Sequence, residues 1–249
     1  MKDNNSIIYG IHPLIEAIEA NKEIQKILIK KDLRKSENIS TLMHSIKEKN
    51  INVQYVPIEK LNKITRKNHQ GVIGFVSPIS FTKIEMVIPT LFENGVNPFI
   101  LVLDRITDVR NFGAICRTAE CAGVNAIIYP EKESALLNAD AIKTSAGAIE
   151  HIPICKVNNL YETINYLKNC GLQIIGCTEK ASKNYTEVCF KNPTAIIMGS
   201  EGKGIDPNLL KLSNENAFIP LNGKIESLNV SCATAIILYE VVRQRNLLI

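Results

Sequence analysis

The chain has 249 residues, 29 Lys and Arg against 25 Asp and Glu, and 45% hydrophobic residues. These are ordinary globular proportions, so disorder, collagen and coiled coil are excluded as the main architecture, and the length allows one large domain or two modest ones. No apolar run approaches the ~20 residues needed to span a bilayer, and residues 1–6 lead into no apolar signal core, so a cytoplasmic protein with no membrane role is expected.

In chain order, residues 11–18 carry Pro13 near a first turn and predict a helix. Residues 24–29 predict a strand, 40–49 an amphipathic helix, 51–56 an alternating strand, 58–64 a short helix and 71–76 another strand. Ser77-Pro78 breaks this pattern, and with Pro89 and Pro98 it marks 78–97 as a linker containing some helix. From Pro98 the pattern becomes βα repetition. Residues 99–103 form a continuous apolar run, as a strand buried on both faces requires. A helix over 112–122 follows, then strands at 126–129 and 152–157 and a helix at 160–168. Strands at 172–177, 195–198 and 217–221 precede a long final helix over 228–245. The expected fold class is α/β: a small N-terminal α/β domain over 1–77, a linker over 78–97, and a mainly parallel α/β domain over 98–249.

The charge divides along the same lines. Residues 1–77 hold 13 basic and 8 acidic side chains, 78–97 hold one and two, and 98–249 hold 15 of each. The excess of five positive charges is therefore N-terminal. A solvated lysine-rich surface and a polyanion site both account for it. The seven cysteines and four histidines are scattered without C-x-x-C or other zinc spacing, so no metal is expected and free buried thiols are.

Several chemistries are disfavoured. Gly199-Ser200-Glu201-Gly202-Lys203-Gly204 has the wrong glycine spacing for a dinucleotide fingerprint, and its Gly-Lys precedes Gly rather than Ser or Thr, as a phosphate-binding loop would need. No G-x-S-x-G nucleophile elbow is present.

Three segments stand out, each after an expected strand. In the first, Asn111 is placed as a helix N-cap, with Arg117 six residues on. That is about 600° of helical rotation, so the two side chains do not share one face. In the second, the glycines at 199, 202 and 204 permit close approach of a ligand to backbone N–H groups, around Glu201 and Lys203. In the third, Ser227 and Asn229 are both good N-caps for the final helix, and capping needs only one. Ile219, Leu221 and Leu228 nearby suit the wall of a pocket for a flat base. In open parallel sheets ligands sit beyond the carboxyl ends of strands, where all three segments are expected.

These residues resemble the SpoU (TrmH) family of SPOUT RNA 2′-O-ribose methyltransferases. The family's motifs occur in order as Asn111-x-Gly113-x-Ile115-x-Arg117, Gly199-Ser200-Glu201-Gly202-x-Gly204, and Ile219-Pro220 followed by Ser227-Leu228-Asn229-Val230-Ser231. Tyr9-Gly10-Ile11-His12-Pro13 and His69-Gln70-Gly71-Val72 resemble the small ribosomal-protein-like substrate-binding domain of the RlmB-type branch, which methylates a guanosine in large-subunit (23S) rRNA. The resemblance implies a deep trefoil knot, a homodimer and S-adenosylmethionine as cofactor, with Gly199, Ile219 and Leu228 at cofactor-contacting positions.

It also implies a catalytic set of Asn111, Arg117, Glu201, Ser227 and Asn229. Because a guanidinium holds its proton in proteins, Arg117 is read as positioning phosphate and ribose rather than as the base, with Glu201 or its neighbours orienting Arg117. The alternatives are a tRNA or resistance-type ribose methyltransferase of the same family, a non-catalytic RNA-binding or ribosome-assembly factor, and a small-molecule α/β enzyme.

Overall fold

In the computed structural model, which describes residues 7–33 and 36–246, the alternation and helical spacing of the early residues produce β1 (Ile7–Tyr9), α1 (Ile11–Glu19), β2 (Ile24–Lys30), α2 (Glu37–Glu48), β3 (Val53–Val56), α3 (Ile58–Ile64) and β4 (Val72–Val76). β4 pairs antiparallel with β1 and β2, and β2 pairs parallel with β3, giving the order β1-β4-β2-β3. Successive strand residues face opposite sides. Ile27 and Ile29 therefore pack under α1 and α2 with Leu14, Ile18 and Leu42, while Leu28 packs under α3 with Val56, Leu61 and Ile73. β1 is an addition to the expected elements; its three residues are too few to show a period.

The chain divides into two units, Met1–Ser80 with Leu137–Ala139 and Phe81–Leu136 with Asp140–Ile249. In the second, α4 (Ile84–Glu93) lies within the stretch expected to be a linker. It is not a free connection: Ile84, Val87 and Ile88 are buried in one core with Ile100, Val102 and Ile128. Pro89 sits inside this helix, which is why prolines read as boundaries misplace it.

The elements that follow are β5 (Phe99–Asp104), α5 (Val109–Cys121), β6 (Ala126–Pro130), α6 (Ala139–Thr144), β7 (Ile154–Val157), α7 (Leu160–Asn169), β8 (Gln173–Cys177), β9 (Lys183–Asn184), β10 (Thr194–Gly199), α8 (Pro207–Leu210), β11 (Glu215–Phe218) and α9 (Val230–Asn246). Their seven strands take the order β7-β6-β5-β10-β8-β11-β9, and every pair is parallel. All six residues of β5 are buried, as its unbroken apolar run requires. The sheet grows outward from β5 through β6 and β7, and β10 then enters between β5 and β8. The strand order reverses there, so a crevice opens at the carboxyl ends of β5, β10 and β8.

Two helices begin away from their expected starts. Asp108, not Asn111, caps α5: its Oδ1 accepts from the N–H groups of Arg110 at 2.8 Å and Asn111 at 2.9 Å. The helix starts earlier because the acidic cap satisfies two free donors, which leaves the Asn111 side chain available. α9 starts at Val230, capped by Asn229, whose Oδ1 accepts from Ser231 N–H at 2.9 Å. At the far end of α9, Arg245 donates to the carbonyls of Phe190, Asn97, Pro98 and Asn192 and stacks on Phe99, supplying acceptors at the amino ends of β5 and β10 with donors.

Cys155 and Cys177 are pushed up to about 12 by burial, Cys155 also by Glu85, and burial raises Cys116 as well. Unfolded thiols ionise near ~8.5, so above that pH the unfolded chain gives up protons that the folded chain keeps. Stability is then intact below the ordinary thiol value and falls as pH rises toward the folded one, by about 1.4 kcal/mol per thiol and pH unit. The melting temperature is expected to drop between about pH 8 and 10, less steeply in a Cys155→Ala/Cys177→Ala variant. An equal slope in that variant contradicts the protection of these two thiols.

Candidate active site

The glycine segment after β10 closes into a tight ring. Gly204 N–H donates to the Ser200 carbonyl at 2.9 Å, and Gly202 and Gly204 adopt positive φ of 89° and 64°. Only glycine takes such angles without cost. Gly199 is constrained differently: a Cβ there would lie 2.2 Å from Gly204 C and 2.3 Å from Ile205 N. Its small size is what lets β10 abut its own loop.

The ring is pinned to the end of β5. The buried Asp104 accepts from Asp206 N–H at 2.7 Å and from the Arg105 guanidinium at 3.0 Å, and Arg105 also donates to the Gly204 carbonyl at 3.3 Å. Arg105 holds a left-handed φ of 57°, a conformation that costs a side-chain-bearing residue energy and that these bonds offset. Sequence reasoning missed both residues; the available signal was an acid–base pair closing an otherwise apolar strand.

The pinned ring presents Glu201. Its Oε1 accepts from Asn229 Nδ2 at 2.6 Å, Val230 N–H at 3.2 Å and Asn111 Nδ2 at 3.3 Å, and Asn229 Nδ2 also reaches Asn111 Oδ1 at 3.0 Å. Residues from three segments distant in sequence thus share one hydrogen-bond network. Its carboxylate lies at the amino end of α9, where the helix dipole favours negative charge. Asn229 caps the helix and joins the network at once, so the second cap-type residue, Ser227, is not the cap of this helix.

Arg117 stands apart. It is exposed on α5 and, among the described residues, its side chain makes no hydrogen bond or ion pair. Glu201 is engaged by Asn111, Asn229 and Val230, and among the described residues it makes no hydrogen bond or ion pair with the Arg117 guanidinium. Gly113, between Asn111 and Arg117, lets α6 approach: a Cβ would fall 2.0 Å from Thr144 Oγ1.

Beside the network lies a cleft of about 390 Å³ at the carboxyl ends of β8, β10 and β11. Gly199, Ile219 and Leu228, the expected cofactor residues, all line it, as do Glu201 and Ser227. β11 ends at Phe218, earlier than the sequence suggests, and this frees Ile219 and Leu221 to form the wall with Met198 and Ala217. Cys177, Thr178 and Glu179, at the end of β8, also contribute and were not anticipated. Cys177 remains a neutral thiol there, because burial pushes it up to about 12. The three charged side chains of the lining, Glu179, Glu201 and Glu226, are all carboxylates. The floor is apolar, the rim is anionic, and Ile225 beside it is 77% exposed.

Comparison with known proteins agrees with this architecture. The family model described as the SpoU rRNA methylase family matches residues 98–239, and the one described as RNA 2′-O ribose methyltransferase substrate binding matches 7–82. YacO of Bacillus subtilis, assigned to the TrmH family of tRNA/rRNA methyltransferases, is 30% identical over 99% of this chain and 98% of its own. A Staphylococcus aureus relative assigned to the same family is 34% identical over 97% of each chain. The SpoU methyltransferase AviRb from Streptomyces viridochromogenes superposes with a TM-score of 0.61 at 21% identity, covering 96% of this chain and 90% of that one. A TrmH/SpoU tRNA modifying enzyme of A. aeolicus gives a TM-score of 0.54 at 30% identity over 66% of this chain and 84% of its own. The chain belongs to the SpoU (TrmH) family of RNA methyltransferases.

Proposed function

We propose that this protein transfers a methyl group from S-adenosylmethionine to the ribose 2′-oxygen of a guanosine in large-subunit (23S) rRNA, in the cytoplasm and as a homodimer. The observation that carries the reading is the cleft: apolar walls and three carboxylates, without a cationic side chain in the lining. Such a lining suits a cationic sulfonium ligand with a flat base and opposes one bearing phosphates. The AviRb structure was solved with S-adenosylmethionine, which supports the same cofactor here. A 52% exposed Tyr239 on α9, with Ile236 and Val242 partly exposed, suits a subunit contact.

When bound, the cofactor supplies an electrophilic methyl group. The protein's own residues then do the positioning, which is where most of the rate of an in-line transfer arises. The Glu201 carboxylate fixes Asn111, Asn229 and the start of α9, so the polar wall of the site is rigid before the substrate arrives. Arg117 forks onto the phosphate and the 2′-oxygen of the target nucleotide. The hydroxyl proton leaves late or through water, because a guanidinium does not accept it. Ser227, on the cleft rim, faces the ribose. Residues 1–77 bind the RNA, and 98–249 hold the cofactor and perform the transfer.

The test is transfer of labelled methyl from S-adenosylmethionine to purified 23S rRNA and to tRNA, with mapping of the modified ribose. Label at one guanosine of 23S rRNA is expected. Label confined to tRNA would establish the alternative substrate, and no label in either RNA would mark a non-catalytic RNA-binding factor.

A further inference from the structure

The charge of the N-terminal unit is unevenly divided between the two sides of its sheet. α1, α2 and their adjoining turns, residues 11–23 and 36–50, hold three Lys against five Glu. The segment that covers the other side, residues 57–70, holds Lys60, Lys63, Arg66 and Lys67 against Glu59 alone. Lys26 of β2 joins this second group, because it pairs across the sheet with Phe75 of β4, whose ring packs with Leu61 and Ile73 under α3. Lys2, Asp3, Arg34 and Lys35 lie outside the described residues.

Two half-exposed aromatic rings lie among these cations. The Lys26 ammonium stands 5.6 Å from the centre of the Phe75 ring, and that of Lys67 stands 5.3 Å from the centre of the Tyr9 ring. Among the described residues no lysine or arginine of this unit is ion-paired to a carboxylate, since the four ion pairs all lie in the other unit. The cations crowd one another instead: burial and the neighbouring Lys60 lower Lys26 from the ordinary lysine range. A surface that gathers unneutralised positive charge beside aromatic rings is complementary to a polyanion carrying flat bases.

We propose that the RNA backbone is held on the α3 side of the N-terminal sheet, by Lys26, Lys60, Lys63 and Lys67 beside Phe75 and Tyr9, and not on the α1–α2 side. This rests on the RNA-substrate reading above and deepens it by naming the face. Phosphates pair with the ammonium groups, and unstacked bases lie against the rings. The more acidic α1–α2 side repels the same backbone.

The experiment compares the full-length protein with Lys60→Gln/Lys63→Gln, on the α3 side, and Lys47→Gln/Lys49→Gln, at the end of α2. All four lysines are exposed, so the charge is removed without opening a core. Binding of protein-free 23S rRNA is measured as a function of KCl, with S-adenosylmethionine binding and thermal melting as controls. For Lys60→Gln/Lys63→Gln the affinity is expected to fall at least about tenfold and the log–log salt slope to shrink by about one to two, with both controls unchanged. The KM for RNA should rise while kcat is kept. Lys47→Gln/Lys49→Gln should match wild type. Equal binding by Lys60→Gln/Lys63→Gln and wild type, or an equal or larger loss in Lys47→Gln/Lys49→Gln, overturns the assignment, as does a face that captures only an acidic protein and leaves RNA binding intact. If wild type methylates RNA while the α3-side variant behaves like it, only this face is refuted. If wild type methylates and binds no RNA, the substrate reading fails with it.

Discussion

Replacing Gly199 with Ala is expected to abolish binding of S-adenosylmethionine, weakening it by at least about a hundredfold, or ~2.7 kcal/mol. The added Cβ would meet Gly204 C at 2.2 Å, Ile205 N at 2.3 Å and Gly204 O at 2.4 Å. All three are backbone atoms, so no rotamer change relieves the overlap. Only displacement of the loop would, and the loop is tied at several points: Gly204 to Ser200, Asp206 to Asp104, and Arg105 to the Gly204 carbonyl. Movement of the ring also carries Glu201 away from Asn111 and Asn229, so the cleft and the polar network are lost together. Calorimetric titration with the cofactor measures the loss, and circular dichroism verifies the fold. Gly202→Ala is the informative contrast. Its φ of 89° strains any side chain, yet no atom lies within 4 Å of the new Cβ. Strain of this sort costs about 1–2 kcal/mol, so that variant should keep measurable binding. Binding by Gly199→Ala within threefold of wild type would show that this cleft does not hold the cofactor.

The contrast between these two glycines also shows what a sequence makes legible. That a loop with glycines at 199, 202 and 204 follows an apolar strand is local information, and so is the βα alternation from which a parallel sheet was expected. That Gly199 must be small because of Gly204 and Ile205, while Gly202 only bends the chain, depends on how the loop folds back. The insertion of β10 between β5 and β8 is likewise non-local: each of these strands reads as a buried strand, and nothing in any of them names its neighbour. Asn111 was legible as a polar residue at a helix mouth, but Asp108 competes for the capping role and wins because it satisfies two N–H groups. Asp104 and Arg105 are not legible in the sequence because a buried carboxylate and a left-handed arginine acquire meaning only through the loop about 100 residues later. The sequence places α4 in a linker because Pro89 within it and the flanking Pro78 and Pro98 read as punctuation, whereas Ile84, Val87 and Ile88 fall on one buried face.

Arg117→Lys is expected to lower turnover by about a hundredfold, a loss of ~2.7 kcal/mol in transition-state stabilisation, while leaving S-adenosylmethionine affinity unchanged. The two expectations arise from different parts of the structure. The side chain is absent from the lining of the cofactor cleft and makes no hydrogen bond among the described residues, so nothing that shapes that cleft depends on it. What it offers a substrate is geometry. A guanidinium presents a planar fork of donors that can hold a phosphate oxygen and the ribose 2′-oxygen together, whereas an ammonium is a point charge on a flexible stem. Lysine keeps the charge, so diffusional attraction of RNA and its salt dependence should barely change; what is lost is alignment of the attacking oxygen, the quantity on which an in-line transfer depends. The measurable signature is a fall in kcat with little change in KM for RNA. A variant that turns over within threefold of wild type would assign Arg117 a purely electrostatic role. A variant that loses cofactor binding would instead place the side chain in the support of the cleft, contrary to its exposure on α5.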